Sequence, residues 1–253
     1  MNEKVFKQEI EDWDKNVDFY INENLMPFQE MIREEIYDFY GLSENDKVLE
    51  AGGGAIKIGP NTVIMDFSPK MVETAQSINS PDRKIILGSV HQTPFKEQTF
   101  DAVIVNGTFH HLKAQGLLED AVKEFYRILK PNGKICVFDR AYNSIPNFFF
   151  YLRKPFKKIY SPKSQCSTRN ETFFLESDIQ KILKQGFSME KRKYLVPLPL
   201  QLLIISTNIF QYLGGKNLAQ KAQKLLKPLG KFLEKHLAIK ALCAEQCLVL
   251  RKI

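Results

Sequence analysis

Along residues 3–40 apolar side chains return every third or fourth position, first Val5, Phe6, Ile10 and Trp13, then Leu25, Phe28, Met31, Ile32, Ile36, Phe39 and Tyr40, and Gly41 breaks the run. That spacing predicts two or three amphipathic helices closed by a glycine stop. From residue 47 the period changes. Short β-rich runs at 47–51, 63–66, 84–88, 100–106 and 133–139 alternate with helical stretches at 69–78 and 116–129. Strands separated by helices imply parallel βαβ units. Lys130-Pro131-Asn132-Gly133 carries both a proline and a turn signal, and it is expected to end the second of those helices.

Beyond residue 139 the pattern loosens into a Phe148-Phe149-Phe150-Tyr151 cluster and a basic segment, 153–158, before another helix at 175–184. Residues 187–194 and 243–251 read as two closing strands, separated by helical stretches at 200–213 and 218–242. No internal repeat is visible. Residues 194–215 hold no charge, which approaches the length of a membrane span. Pro197, Pro199, Gln201, Ser206, Thr207, Asn208 and Gln211 argue against a span. A helix packed on the domain is expected there instead, with an interfacial helix as the alternative.

Composition narrows the class. An apolar fraction of 44% with 26% charged residues, over 253 residues, suits a globular protein with a sizeable core. The first residues hold no apolar leader, so a cytoplasmic protein is expected, with peripheral membrane contact left open. Cys136, Cys166, Cys243 and Cys247 lack paired metal-ligand spacing, and free thiols with no metal are expected. The net charge of +7 conceals an asymmetry. Residues 1–139 carry 15 basic against 23 acidic side chains and residues 140–253 carry 21 against 6, giving −8 and +15. A basic second half points to an anionic surface, phosphate group or nucleic acid as its partner.

The chemistry-bearing residues begin where the run Val48-Leu49-Glu50-Ala51 enters Gly52-Gly53-Gly54. Glycines let a backbone approach a ligand closely, and Asp66, ending the next strand, can accept hydrogen bonds from two ribose hydroxyls. The third glycine of a G-x-G-x-x-G dinucleotide fingerprint is absent. Four further segments follow in order: VIMDFSPKMVETA, IILGSV, TFDAVIVNGTFHHL and FYRILKPNGKICVFD. Together with VLEAGGG they make this chain resemble the class I S-adenosylmethionine-dependent methyltransferases over a little more than a third of its length.

That resemblance implies a Rossmann-like α/β fold: a seven-stranded, mostly parallel sheet flanked by helices, with a last strand at 243–251 running antiparallel. It implies one domain, 1–253, divided into an N-terminal helical cap (1–46), a cofactor-binding core (47–139) and acceptor-side insertions with closing strands (140–253). It implies S-adenosylmethionine as cofactor and assigns roles residue by residue. Gly52 and Gly54 would carry the methionine portion and Glu50 its ammonium end, through water. Asp66 would bind the ribose, and Phe67 and Met71 would pack on the adenine. The Ser89 and Val90 backbone would face the adenine edge, and Asn106 would offer its carbonyl to the cofactor's amino group. The chain departs from the family pattern at three points: residues 55–62 are too few for the helix that usually follows the glycines, Ser89 stands where an acid is frequent, and Glu50 stands for the more frequent Asp.

His110 and His111 follow the fourth strand and are candidate catalytic bases, since an imidazole titrates near neutrality. His91, Tyr142 and Asn143 are weaker candidates. Methyl transfer to a hydroxyl of a small-molecule or lipid-linked acceptor is the expected reaction, with segments 143–152 and 194–213 lining the acceptor site and the basic half meeting an anionic membrane surface. An RNA or other nucleic-acid methyltransferase is the alternative. Against it, Asn106-Gly107-Thr108-Phe109 lacks the Pro-Pro-aromatic sequence common in enzymes that methylate base amino groups. A non-catalytic member of the fold is the third reading, opposed by the intact Asp66 and glycines. Oligomeric state is not legible.

Overall fold

The computed structural model describes residues 3–24, 27–56, 61–140, 172, 174–237 and 243–253. Two helices, α1 (Glu3–Asn24) and α2 (Pro27–Tyr40), precede β1 (Val48–Ala51) and β2 (Thr62–Asp66). Then come α3 (Pro69–Ile78), β3 (Lys84–Leu87), β4 (Phe100–Asn106), α4 (Phe109–Gln115), α5 (Leu118–Ile128) and β5 (Leu129–Arg140). The described chain closes with α6 (Glu176–Leu183), β6 (Phe187–Pro197), α7 (Leu198–Leu237) and β7 (Cys243–Lys252). One seven-stranded sheet holds all the strands in the order β3-β2-β1-β4-β5-β7-β6. β7 runs antiparallel to both β5 and β6, and every other pair is parallel.

The alternation of side chains explains why the central strands read as unbroken apolar runs. Val103, Val105, Ile135, Val137, Leu248 and Leu250 point to one face and pack against Phe109, Phe125, Ile128 and Ile179 of α4, α5 and α6. Ala102, Ile104, Cys136, Cys247 and Val249 point to the other, against Phe28, Met31, Ile36 and Tyr40 of α2 and Leu200, Leu226 and Leu233 of α7. Period-two alternation with both faces covered leaves no polar side of the strand. Each fully buried Leu, Ile or Phe contributes roughly 1.5–3 kcal/mol over leaving it in water.

Several boundaries differ from the sequence pattern, each for a local reason. The helix expected over 116–129 is α5, and an unexpected short helix, α4, precedes it and stops at Gly116, whose left-handed φ of 73° lets its N–H close the end of α4 on Leu112 and Lys113. α5 ends at Ile128, just before Lys130–Gly133, but that segment is not a free turn after the helix. It bulges out of β5, pairing passes from Phe100↔Leu129 to Ala102↔Lys134, and Asn132 takes a φ of 62°. Cross-strand pairing at both ends of the turn outweighs its local signal. The two helical stretches expected after β6 are one helix, α7, which runs through Gly214-Gly215 and Pro228. No helix among the described residues is long and apolar enough to cross a membrane. The charge-free stretch is divided instead between the end of β6 and the first half of α7.

β1 and β2 are parallel neighbours joined by few residues, and among the described ones no helix lies between them. α1 supplies the cover instead: its Tyr20 packs with Ile56, Ile64, Ile85 and Ala75, and Trp13, Val17 and Ile21 pack with Ala55 and Met71.

Candidate active site

All strands but β7 point the same way, so β1, β2, β4, β5 and β6 bring their C-terminal ends to one edge of the sheet, and β7 starts there. Ligands bind at that edge in open α/β sheets, above all where strand order reverses, which here lies between β1 and β4. A cavity of about 300 Å³ opens at this place, within the range of small-molecule sites. Gly52, Gly54, Asp66, Phe67, Met71, Asn106, His110 and His111 are on its wall. Glu50, Ser89 and Val90 are not.

Two strand-end residues build the floor. Gly52 and Gly54 both have left-handed φ, 68° and 57°. A Cβ on Gly52 would stand 2.6 Å from Thr108 Oγ1, and one on Gly54 would stand 2.9 Å from the Tyr20 hydroxyl. Both conformation and space therefore require glycine here. The Gly54 amide donates to Asp66 Oδ2 at 2.9 Å, and the Ser68 amide donates to Oδ1 at 2.9 Å. Asp66 thus ties the glycine turn to the start of α3, where Ser68 Oγ caps the Met71 amide at 3.1 Å and donates to Asp14 Oδ1 of α1 at 2.6 Å. Burial pushes the Asp66 carboxyl up to about 6, against the pull of the Ser68, Gly54 and Phe67 amides.

Glu50 lies behind this wall. Its side chain is 1% exposed, and Tyr37 Oη and Asn106 Nδ2 each donate to it at 3.1 Å. Tyr40 Oη in turn donates to Asn106 Oδ1 at 2.8 Å. Burial pushes Glu50 up to about 7, although Tyr37, Arg33 and Asn106 act against it. The arrangement fixes Asn106 at the cavity wall from α2. The Asn106 carbonyl, expected to face the cofactor, accepts from Thr108 Oγ1 at 3.2 Å. Of the residues expected to pack on the adenine, Phe67 rests 5.7 Å from the Phe6 ring and Met71 is 2% exposed. Ser89 Oγ lies 2.6 Å from His91 Nδ1, and Val90 is buried in the core beneath.

The two histidines are each tied to a buried carboxylate. His110 Nδ1 lies 2.8 Å from Asp139 Oδ1, and Asp139 also accepts the backbone amides of His110 at 3.2 Å and Arg140 at 2.7 Å. Burial alone would raise the Asp139 carboxyl, but His110 and these amides outweigh it and hold it below the ordinary carboxylate value. An ionised Asp139 accepts from Nδ1–H and leaves Nε2 as the basic ring nitrogen. His111 Nδ1 lies 3.1 Å from Glu9 of α1, its ring stands edge-on to Trp13 at 5.5 Å, and it lies 4.1 Å from the His110 ring, tilted by 39°.

Val196 and Ile204 on the wall fall in the 194–213 segment expected to line the acceptor site, whereas sequence reading missed Trp13, Tyr20, Gln29 and Ile32 from the N-terminal helices, Gly107 and Thr108 after β4, Phe138, Asp139 and Arg140 from β5, and Glu245 from β7. Asp139 could have been found, since it ends a strand beside the two histidines. Glu9 could not, because a lone acid in a helix reads as solvated until its partner is known. Tyr142, Asn143, the Phe148–Tyr151 cluster, the basic segment 153–158 and Cys166 lie outside the described residues. Among those residues no His/Cys/Asp/Glu cluster of metal-binding geometry occurs, and Cys136, Cys243 and Cys247 are buried thiols.

Comparison with known proteins agrees with this geometry. Residues 47–137 match a family described as methyltransferase domain. An uncharacterized methyltransferase of Schizosaccharomyces pombe is 27% identical over 153 residues, 56% of this chain and 55% of that protein. A demethylmenaquinone methyltransferase of Desulfitobacterium hafniense is 34% identical over 89 residues, 33% of this chain and 34% of that one. The chain spans about half the length of the curated relatives it matches. Among solved structures, phosphoethanolamine N-methyltransferase 2 of Haemonchus contortus, in complex with phosphomonomethylethanolamine and S-adenosylhomocysteine, superposes with a TM-score of 0.62 at 16% identity, covering 94% of this chain and 57% of that one. Residues 47–137 thus form a methyltransferase domain, and the sheet order, the glycine turn and the strand-end carboxylate around it have the fold of the class I S-adenosylmethionine-dependent methyltransferases.

Proposed function

We propose that this protein transfers a methyl group from S-adenosylmethionine to a hydroxyl of a small-molecule or lipid-linked acceptor, with His110 as the base. The observation that carries the reading is the His110–Asp139 pair on the wall of the same cavity as Asp66 and the two glycines. The residues present fit the cofactor: the left-handed glycine turn admits a close ligand, and the Asp66 carboxylate on the wall suits a ribose diol. When bound, the cofactor supplies a methyl group on a sulfonium, already activated for in-line displacement.

The chain's own work is then positioning and proton removal. Ile32, Phe138, Val196 and Ile204 give the cavity an apolar wall for the acceptor skeleton, and Gln29, Arg140 and Glu245 give it polar points for orientation. Holding two reactants in line supplies much of the rate. With the methyl donor bound, His110 Nε2 would take the acceptor's hydroxyl proton as the oxygen accepts the methyl group, and Asp139 would stabilise the imidazolium that forms. His111, held by Glu9 and Trp13, braces the His110 ring.

A transfer assay with labelled cofactor and a panel of phenolic, quinol and lipid hydroxyl acceptors tests this. On the accepted substrate, His110→Ala lowers kcat about 10²–10⁴-fold while cofactor affinity stays unchanged. Asp139→Asn gives a smaller loss and shifts the acid limb of the kcat–pH profile. Unchanged kcat in His110→Ala, or methylation confined to RNA, would exclude this reading.

A further inference from the structure

The second half of α7 presents a surface that the cavity and its chemistry do not use. Leu218, Leu225, Leu229 and Phe232 are 42%, 81%, 46% and 57% exposed. Their spacing places them on one side of the helix, within an arc of about 60° at 3.6 residues per turn. The body holds α7 by a neighbouring arc, where Ala219, Gln223, Gly230 and Glu234 face inward. Gln223 Oε1 accepts the Phe28 amide at 3.1 Å, a Cβ on Gly230 would meet the Phe28 ring at 3.0 Å, and Glu234 is 6% exposed. The apolar arc of the helix is thus wider than the body covers.

On the other flank of the exposed leucines stand Lys221, Lys224, Lys231 and Lys235, all exposed. α7 contains six lysines, no arginine and one acid, Glu234, which is turned inward to the Val196 amide. Nothing anionic on α7 offsets the lysine flank. An uncovered apolar stripe beside an unbalanced lysine row matches an anionic bilayer surface: leucine and phenylalanine enter the acyl boundary while lysine stems reach up to lipid phosphates. A second copy of the same face would bring lysine rows together. A nucleic acid would leave Leu225 and Phe232 without a partner.

We propose that α7, through Leu218–Phe232 and the flanking lysines, docks this protein on an anionic lipid surface. The same helix contributes Ile204 to the cavity wall, so docking would place the cavity roughly 20 Å along the helix from the bilayer contact. The proposal goes beyond methyl transfer and does not depend on it.

Vesicle flotation of the full chain tests it, with phosphatidylcholine alone and phosphatidylcholine mixed with phosphatidylglycerol. Binding is expected only to the mixed vesicles and is expected to fall steeply with added salt. Each of Lys221→Gln, Lys224→Gln, Lys231→Gln and Lys235→Gln should weaken it about five-fold, and Leu225→Ser with Phe232→Ser at least ten-fold. All six side chains are exposed, so thermal unfolding and cofactor titration should not change. Three results overturn the proposal: equal binding to both vesicles, no flotation with salt-sensitive binding to RNA, and no flotation with a concentration-dependent dimer that Leu225→Ser abolishes.

Discussion

Asp66 shows how one side chain links fold and ligand. Its two oxygens accept the Gly54 and Ser68 amides, and it still reaches the cavity wall. A carboxylate must be ionised to accept from two hydroxyls, and burial has raised this one to about 6. Cofactor affinity is therefore expected to be constant above pH 7 and to fall as pH drops through about 6. Asp66→Asn should lower affinity about ten-fold or more at pH 8, and the gap to wild type should close near pH 5, as read by calorimetric titration. A gap independent of pH would show that ionisation of Asp66 plays no part. Asp66 and the glycines were legible in sequence because their positions follow from strand ends. Glu50 was legible as an acid but not as a buried support for Asn106, because Tyr37 and Tyr40 lie on a helix whose docking only the fold reveals. Glu9 and Tyr20 were hidden for the same reason.

At the scale of elements, the strands of the central sheet follow from their apolar runs, and β4 begins and ends where the pattern puts it. The exceptions arise where tertiary contacts override local signals: the bulged Lys130–Gly133 within β5, and the continuity of α7 across two glycines and Pro228. α1 was readable as part of an N-terminal cap, but the side chains it lays on the glycine turn, Tyr20 above all, were not. The joint between β6 and α7 stores cost in two places. Val196, a β-branched residue, has a φ of 57°, a strained conformation. Its amide donates to both Glu234 oxygens, at 3.2 and 3.0 Å, and burial pushes that carboxyl up to about 7 with Lys193 opposing. A carboxyl raised on folding contributes stability at low pH that is lost as pH rises through about 7. Glu234→Gln keeps an acceptor for Val196 and removes the charge. It should stabilise the protein by about 2 kcal/mol at pH 8 and by nothing measurable near pH 4, in denaturant titrations. Destabilisation at pH 8 would show that the charge itself holds the joint.

Taken whole, the molecule separates its tasks along the chain. The acidic first part carries the glycine turn, Asp66 and the histidines, and the basic second part closes the sheet and supplies α7. The seven-stranded sheet and its antiparallel last strand were legible only through the joint order of five segments, since no single strand specifies its neighbours, and the strand order emerges only in the fold. That order places the cavity between β1 and β4 and makes the cofactor site the claim on which the rest depends. Isothermal titration of the full chain with S-adenosylmethionine, S-adenosylhomocysteine and NAD tests it most directly. Saturable binding of both sulfur ligands at one site, with none of NAD, is the predicted result. Folded protein that binds neither sulfur ligand, or that binds NAD instead, would contradict it.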